Sequence, residues 1–422
     1  MDLYGEFEWR GLMYDATDGV RELLARDRVT TYAGFDPTAA SLHVGHLLPI
    51  MALARAQRFG HSPIAVVGGG TGLIGDPSGK TAERQLLTVD QVNANVEGIR
   101  GQLARFLDFE SRNAPARLVN NADWLTGLTA VEFMRDIGKH FSVNAMLAKE
   151  SVKRRIESDE GISYTEFSYA LLQAYDYLVL YDRFHCTLQM GGSDQWGNIT
   201  AGMDLIRRVR GGKAHGLVMP LLTTAGGTKF GKTEAGSVWL DPTLTKPYVL
   251  YQFWLNADDR DAGTYLKFFT FLEAQRITEL EAASAREPEK RHAQRELARE
   301  VTRLVHGDAA VREAESATGA LFGADISGMS VDELLRVFPS VPSKTVPYQP
   351  DGWRVQTLLT EGGLTKSISD ATRLIKSRAV YVNGRLFTDE RKRLRREDAL
   401  DGQLFLLQKG KKDHLIIRIQ QG

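Results

Sequence analysis

Short apolar, β-branched runs that stop at glycine-rich turns alternate with helical stretches through the first half of this chain, and that alternation leaves few folds open. Val29 to Tyr32 reads as a strand that breaks at Gly34 and Asp36-Pro37 and enters a long amphipathic helix ending near Gly60. Pro63 to Val67 runs into GGGTGLIGDPSGKT, where six glycines crowd one loop and Asp76 is the one carboxylate. Leu118 to Asn120 suggests a third strand. Thr187 to Met190 suggests a fourth, ending in Gly191-Gly192-Ser193-Asp194-Gln195, and His215 to Leu222 a fifth. Strands alternating with helices predict an α/β domain built on a doubly wound, mostly parallel sheet, with the glycine turns all opening on one edge. Ligands of such sheets sit at the carboxyl ends of the strands.

Two stretches place chemistry on that edge. His43 and His46 lie three apart at the start of the first long helix, so they project from one face, and Gly45 between them leaves room for a flat ligand against the backbone. Unpaired N–H groups at the same junction suit an anion. Further on, SYTEFSYALLQAYDYL puts Tyr169, Gln173 and Asp176 at spacings of four and three on one stripe of a helix. Polar groups on an apolar stripe need partners: either they satisfy each other or they face a polar ligand.

The rest of the chain reads as follows. Residues 1 to 28 suggest a lead-in helix, and three helical stretches run from about Thr129 to Leu180. After Pro247 the pattern becomes helical and charged to about Phe322, and Gly323 to Gly352 holds four prolines and three glycines, a linker. Domains are therefore expected at 1–247, 248–322 and 353–422, with the linker at 323–352. Lys+Arg and Asp+Glu balance at 53 each, but Trp353 to Gly422 alone carries 15 basic and 8 acidic residues, so a tail of +7 follows a body of −7. A basic terminal module points to a polyanion. Cys186 is the only cysteine, which excludes an intramolecular disulfide and a cysteine metal cluster. The acidic N-terminus has no apolar signal core and no run is long enough for a membrane span, so a soluble cytoplasmic protein is expected.

Gly226-x-x-x-x-Gly231-Lys232-Thr233 satisfies the P-loop pattern, but a P-loop needs a helix to begin at the Lys-Thr pair. EAGSVWLDP follows, with two early breakers and a proline, and forms a poor helix. A glycine-flanked loop that offers Lys229 and Lys232 to a polyphosphate fits the residues better.

His43-Val44-Gly45-His46 resembles the HIGH signature of class I aminoacyl-tRNA synthetases, and Lys229-Phe230-Gly231-Lys232-Thr233 resembles their KMSKS signature in the form usual for bacterial tyrosyl enzymes. GLIGDPSGK and GGSDQWGNITAG are similar to that family almost letter for letter, and the resemblance covers nearly the whole chain. It implies a Rossmann-like catalytic domain, an α-helical domain on the anticodon side and a small α+β RNA-binding domain. SISDATRLIKSRAVYVNGR, with an Asn383-Gly384 hairpin turn, resembles the RNA-binding module shared with a ribosomal protein. The resemblance implies that Thr38, His43, Lys80, Arg84, Lys229, Lys232 and Thr233 address the phosphates of ATP. His46, Gly34, Asp36, Gly192 and Asp194 would lie against the nucleotide. Tyr32 and Asp176 would bind the phenol of tyrosine, Asp76, Tyr169 and Gln173 its ammonium group, and Asn121 and Gln195 would line the pocket. Arg373, Lys376, Arg378, Arg385, Lys392 and Arg393 would meet RNA phosphates. Ala33, where many members have Cys, and Ala40, where an acid is common, depart from the pattern; a modest change in ATP binding is expected from the first and little from the second, with the activity kept.

The implied reaction, attack of a carboxylate on the α-phosphorus of ATP, needs positioning and charge stabilisation rather than a base. No tightly bound cofactor is expected; Mg²⁺ would arrive with ATP as substrate. Implied partners are tRNA(Tyr), L-tyrosine and ATP, with a homodimer formed through Thr129 to Met146. A tryptophanyl-type enzyme and a non-enzymatic RNA-binding relative are the alternatives; the first has no need of Tyr32 with Asp176, the second no need of the lysine loop.

Overall fold

The computed structural model describes residues 2–78, 86–157, 161–225, 230–233, 236–321, 331, 341–410 and 413–420. The chain divides into two compact units, Met1–Val305 and His306–Gly422.

The first unit is built on a six-stranded sheet in the order β1-β6-β5-β2-β3-β4, where β1 is Asp15–Ala16, β2 Thr30–Phe35, β3 Ser62–Val67, β4 Arg117–Asn120, β5 Cys186–Gly192 and β6 His215–Met219. All neighbours are parallel except the two-residue edge β1 against β6. Strands β3 and β6 are buried almost throughout, as expected where helices cover both faces. The sheet thus has the predicted class. Because β2 has β3 on one side and β5 on the other, the chain reverses its direction of growth there, and the crevice at the ends of β2 and β5 is the place for a ligand.

Several local expectations change. Strand β2 continues through Gly34 to Phe35, because its backbone is paired on β3 along its whole length. The helix after it starts later, at Leu47, and ends at Arg58. Leu47, Leu48 and Ile50 to Ala56 are all buried, so it is a central helix rather than an amphipathic one. The lead-in is two helices, Leu3–Arg10 and Val20–Arg26, separated by β1. Between Thr129 and Leu147 the chain breaks into short turns, including a π-turn at Phe133–Ile137, before the helices Glu150–Ile156 and Tyr164–Phe184. Val131, Met134 and Val143 in that stretch are 71%, 58% and 60% exposed.

Ser163 caps the Tyr164–Phe184 helix by accepting from the Glu166 amide, and the buried Glu166 carboxylate takes a 2.7 Å bond from buried Arg155. Removing one partner of such a pair costs about 3–5 kcal/mol. Helices Pro247–Leu255, Asp259–Phe269, Ala274–Arg286 and His292–His306 follow.

The second unit carries a five-stranded sheet, in the order Arg385–Leu386, Val380–Val382, Leu404–Lys409, Asp413–Ile419 and Ser343–Val346. Asn383 and Gly384 have φ of 47° and 78°, the left-handed pair that a tight hairpin turn requires. Trp353, Leu358, Leu359, Ile375, Phe405 and Ile417 form its core. Arg373, Lys376, Arg378, Arg385, Lys392 and Arg393 are all exposed.

Candidate active site

At the ends of β2, β3 and β5 a cleft is lined by Tyr32, Gly34, Asp36, Asp76, Asn121, Tyr169, Gln173, Asp176, Gln189, Gly192 and Gln195. The ends of β2, β3, β4 and β5 and one helix therefore bring together residues up to about 160 positions apart. The Tyr169, Gln173 and Asp176 stripe faces into the cleft, which resolves the alternative read from its spacing: the three neither satisfy each other nor face the core.

One end of the cleft is built around Asp176. Its Oδ1 accepts from Trp124 Nε1 at 2.7 Å and its Oδ2 from Asn121 Nδ2 at 2.9 Å. Burial pushes this carboxyl up to about 7 against the pull of those two donors. Beside it the Tyr32 ring packs edge-on against Tyr177 at 5.1 Å, and its buried hydroxyl finds no hydrogen-bond partner among the described residues. Burial, with the Asp176 charge adding to it, holds that phenol well above its ordinary range, so the hydroxyl is a neutral donor. An ionisable acceptor and an orphaned O–H, both dry, are arranged for one hydroxyl that can donate to the first and accept from the second.

The other end is polar and acidic. Asp76 Oδ1 accepts from the Ser78 amide at 2.9 Å, and Oδ2 from Gln195 Nε2 at 2.8 Å. The Tyr169 hydroxyl donates to Asp36 at 2.9 Å, and Asp36 also accepts from Thr71 at 2.8 Å. Thr71 in turn accepts from Asn121 Nδ2 at 2.9 Å, so the two ends are joined by one chain of hydrogen bonds.

The histidine turn runs directly into the Leu47–Arg58 helix, whose Pro49 lines this cleft. His43 caps a 3₁₀ turn, Val44–His46, with Nδ1 accepting from the Gly45 amide at 3.0 Å, while His46 Nδ1 accepts from the His43 amide at 3.1 Å. A Cβ on Gly45 would stand 2.8 Å from the His43 ring, so the glycine is required by the histidine. Val44 donates its amide to Val238 O at 2.9 Å, and Val238 to Gly231 O at 3.2 Å, which ties this turn to the lysine segment. Lys232–Thr233 and Gly236–Ser237 pair as antiparallel strands β7 and β8, so no helix begins at the Lys-Thr pair and the P-loop reading fails. Phe230 is buried and stacks on Phe269 at 5.4 Å, with Tyr265, Trp254 and Phe253 around it.

Of the remaining expected residues, Thr38 and Asp194 are exposed, and Gly192 sits where a Cβ would stand 2.7 Å from Asp194. Lys80, Arg84 and Lys229 lie outside the described residues, and Lys232 and Thr233 are described in their backbone only. Sequence reasoning missed Trp124, Thr71 and Gln189. Trp124 had a signal, since it follows Asn121 by three in the turn after β4 and shares its face. Gln189 lies in a strand of apolar neighbours and had none.

Residues 24–323 match the family of tRNA synthetases class I (W and Y), and the chain belongs to that family. Residues 333–417 match the tyrosine–tRNA ligase SYY-like C-terminal domain. The chain is 56% identical over 417 residues to a tyrosine–tRNA ligase of Roseiflexus castenholzii, covering 98% of both chains. It is 52% identical over 423 residues to that of Geobacillus stearothermophilus, covering 99% of this chain and 100% of the relative. Among solved structures, a C-terminally truncated mitochondrial tyrosyl-tRNA synthetase of Aspergillus nidulans superposes with a TM-score of 0.70 at 31% identity, over 76% of this chain and 94% of that one. The resemblance read from HVGH and KFGKT is thereby borne out. Among the described residues no helix is long and apolar enough to cross a membrane.

Proposed function

We infer that this protein joins L-tyrosine to tRNA(Tyr) in two steps. A tyrosine carboxylate oxygen attacks the α-phosphorus of ATP, the bond to the bridging oxygen breaks, and pyrophosphate leaves with the electron pair. A ribose hydroxyl of the 3′-terminal adenosine then attacks the activated carbonyl and AMP departs. The observation that carries this reading is the pairing of Asp176, fixed by two donors, with the unsatisfied Tyr32 hydroxyl. A phenol fulfils both at once, whereas phenylalanine leaves both buried and unpaired. Asp76, Tyr169 and Gln173 take the α-ammonium, with Asn121 and Gln195 fixing the pocket walls.

The nucleotide side rests on the family resemblance and on the imidazoles of the histidine turn rather than on free amides, since those of His43, Val44, Gly45 and His46 are all hydrogen-bonded within the turn or to Val238. His43 and Thr38, together with Lys80, Arg84, Lys229, Lys232 and Thr233, meet the phosphates. His46, Gly34, Asp36, Gly192 and Asp194 lie against the adenosine. The already ionised carboxylate needs no base, and ammonium groups that engage the departing pyrophosphate lower the barrier. Mg²⁺ enters with ATP and neutralises phosphate charge.

The six exposed basic residues of the second unit contact RNA phosphates, the 248–322 segment faces the anticodon side, and the protein works in the cytoplasm. The exposed Val131, Met134 and Val143 support a homodimer formed through Thr129 to Met146, since such apolar patches mark interfaces. Amino-acid-dependent exchange of labelled pyrophosphate into ATP, run with tyrosine, phenylalanine and tryptophan, tests the reading. Exchange with tyrosine alone is expected; exchange with tryptophan, or with none of the three, overturns it.

A further inference from the structure

Behind the acidic end of the cleft lies Asn198, the third residue of the Trp196–Arg210 helix, buried and absent from the cleft's lining. Its Nδ2 donates to Gln173 Oε1 at 3.1 Å and to Gln195 Oε1 at 3.2 Å, with Ser78 Oγ at 3.4 Å. Gln173 Nε2 donates to the same Gln195 Oε1 at 3.3 Å, and Gln195 Nε2 reaches Asp76 at 2.8 Å. Three carboxamides and one carboxylate thus form a closed set of donors and acceptors.

We propose that Asn198 is a positioning residue for the tyrosine ammonium group, setting which end of the Gln173 and Gln195 amides faces the substrate. A carboxamide fills the same space either way round, so its orientation is decided by its partners alone. Both glutamine oxygens point at the Asn198 amide. Turning Gln173 over would set its N–H₂ against that of Asn198 and its oxygen against that of Gln195. Turning Gln195 over would set an oxygen against Asp76. With Asn198 in place, Gln195 supports the Asp76 carboxylate from one side while Ser78 supports it from the other. Gln173 lines the cleft with Tyr169, and the oxygen that accepts from Asn198 has a second lone pair for the substrate. An ammonium group, which only donates, needs that arrangement of acceptors and no other. Without Asn198 the Gln173 amide is free to present N–H₂, a donor facing a donor.

This inference rests on tyrosine being the substrate, and the test separates the two. Binding of L-tyrosine and of 3-(4-hydroxyphenyl)propionate, which keeps the phenol and lacks the ammonium, is measured for the wild type, Asn198→Ala and Asn198→Ser. Asn198→Ala is expected to weaken tyrosine by roughly 10-fold, as the bond from the ammonium to a misoriented Gln173 is lost, and to leave the propionate within about twofold. Asn198→Ser, which keeps one donor, is expected to fall between them and serves as the test if the alanine variant does not fold. Equal weakening of both ligands, or of neither, overturns the assignment. A wild type that binds the propionate and tyrosine equally well removes the role of the ammonium and the inference with it, and one that binds neither overturns the substrate reading itself.

Discussion

Trp124→Phe is the substitution that most directly questions the phenol end of the cleft. The indole N–H is one of two donors that hold the Asp176 carboxylate ionised against burial, at 2.7 Å, while the ring itself is packed. Phenylalanine keeps much of the packing and removes the donor. A hydrogen bond to a charged group contributes about 1.5–3 kcal/mol, and 1.36 kcal/mol corresponds to one pH unit, so the carboxyl should titrate about one to two pH units higher than its present value near 7. If the ionised form is the one that accepts the substrate hydroxyl, kcat/KM for tyrosine rises with pH through the titration of the free enzyme. At pH 7 the ionised fraction, and with it kcat/KM, would drop about 5- to 50-fold, and the gap would narrow towards pH 9. Stability follows the same group. Because the folded carboxyl titrates above the unfolded one, the folded state binds this proton more tightly, and Asp176 costs stability progressively as pH rises from about 4 to about 7. Above that window the penalty is complete; in the variant the decline should continue to higher pH. The assay is the pH profile of tyrosine-dependent pyrophosphate exchange, with chemical denaturation across the same range. A profile of lower amplitude with an unmoved midpoint would mean that Trp124 acts through packing, and the electrostatic account of Asp176 would be wrong.

Tyr32→Phe removes a hydroxyl that is buried without a partner, so the free protein should gain about 1 kcal/mol while tyrosine KM rises roughly 10-fold and activity with phenylalanine is unchanged; melting and exchange kinetics read both. Phe230→Ala empties the centre of the Phe269, Tyr265 and Trp254 cluster and should lower the exchange rate with little change in tyrosine KM; a pure KM effect would count against a role in placing the lysine segment. Val143→Asp puts a charge on the exposed apolar face and is expected to dissociate the proposed homodimer in sedimentation; a variant as dimeric as the wild type would refute the role of this face.

What the sequence shows well is what local chemistry determines. Glycine and proline punctuate strand ends, so β2, β3 and β5 and the edge they share were legible. The Asn383-Gly384 turn was legible because only residues tolerant of positive φ fit it. Strand β1 was not, since Asp15 and Ala16 carry no strand pattern and exist as a strand only through Val218 and Leu217. The Thr129 to Leu147 stretch is helical, as expected, but in short pieces, 130–140 and Val143–Leu147: short helices depend on packing, and much of this face is exposed. In the site, the helical stripe was visible as a stripe, but which way it faced depended on Asp36 reaching Tyr169 across 133 positions. Trp124 lay hidden in plain view because an indole after a strand reads as core.

The same non-local logic brings together two signatures that are far apart in the chain. Leu42 and Val44 exchange backbone hydrogen bonds with Leu240 and Val238, and Val238 in turn bonds Gly231. A Cβ on Gly231, at φ +82°, would stand 2.9 Å from Val44, so close approach as well as backbone angle calls for glycine there. Phe230 is held independently, by rings of the Pro247–Leu255 and Asp259–Phe269 helices. Lys229 directly precedes one fixed point and Lys232 directly follows the other. Electrostatic stabilisation depends on charges placed before the reaction begins, because a charge that must be gathered at the moment of transfer repays part of its gain in reorganisation. Anchoring the short Phe230-Gly231 step from two sides fixes the backbone of that step, which suits the proposed role of this segment in meeting the departing pyrophosphate.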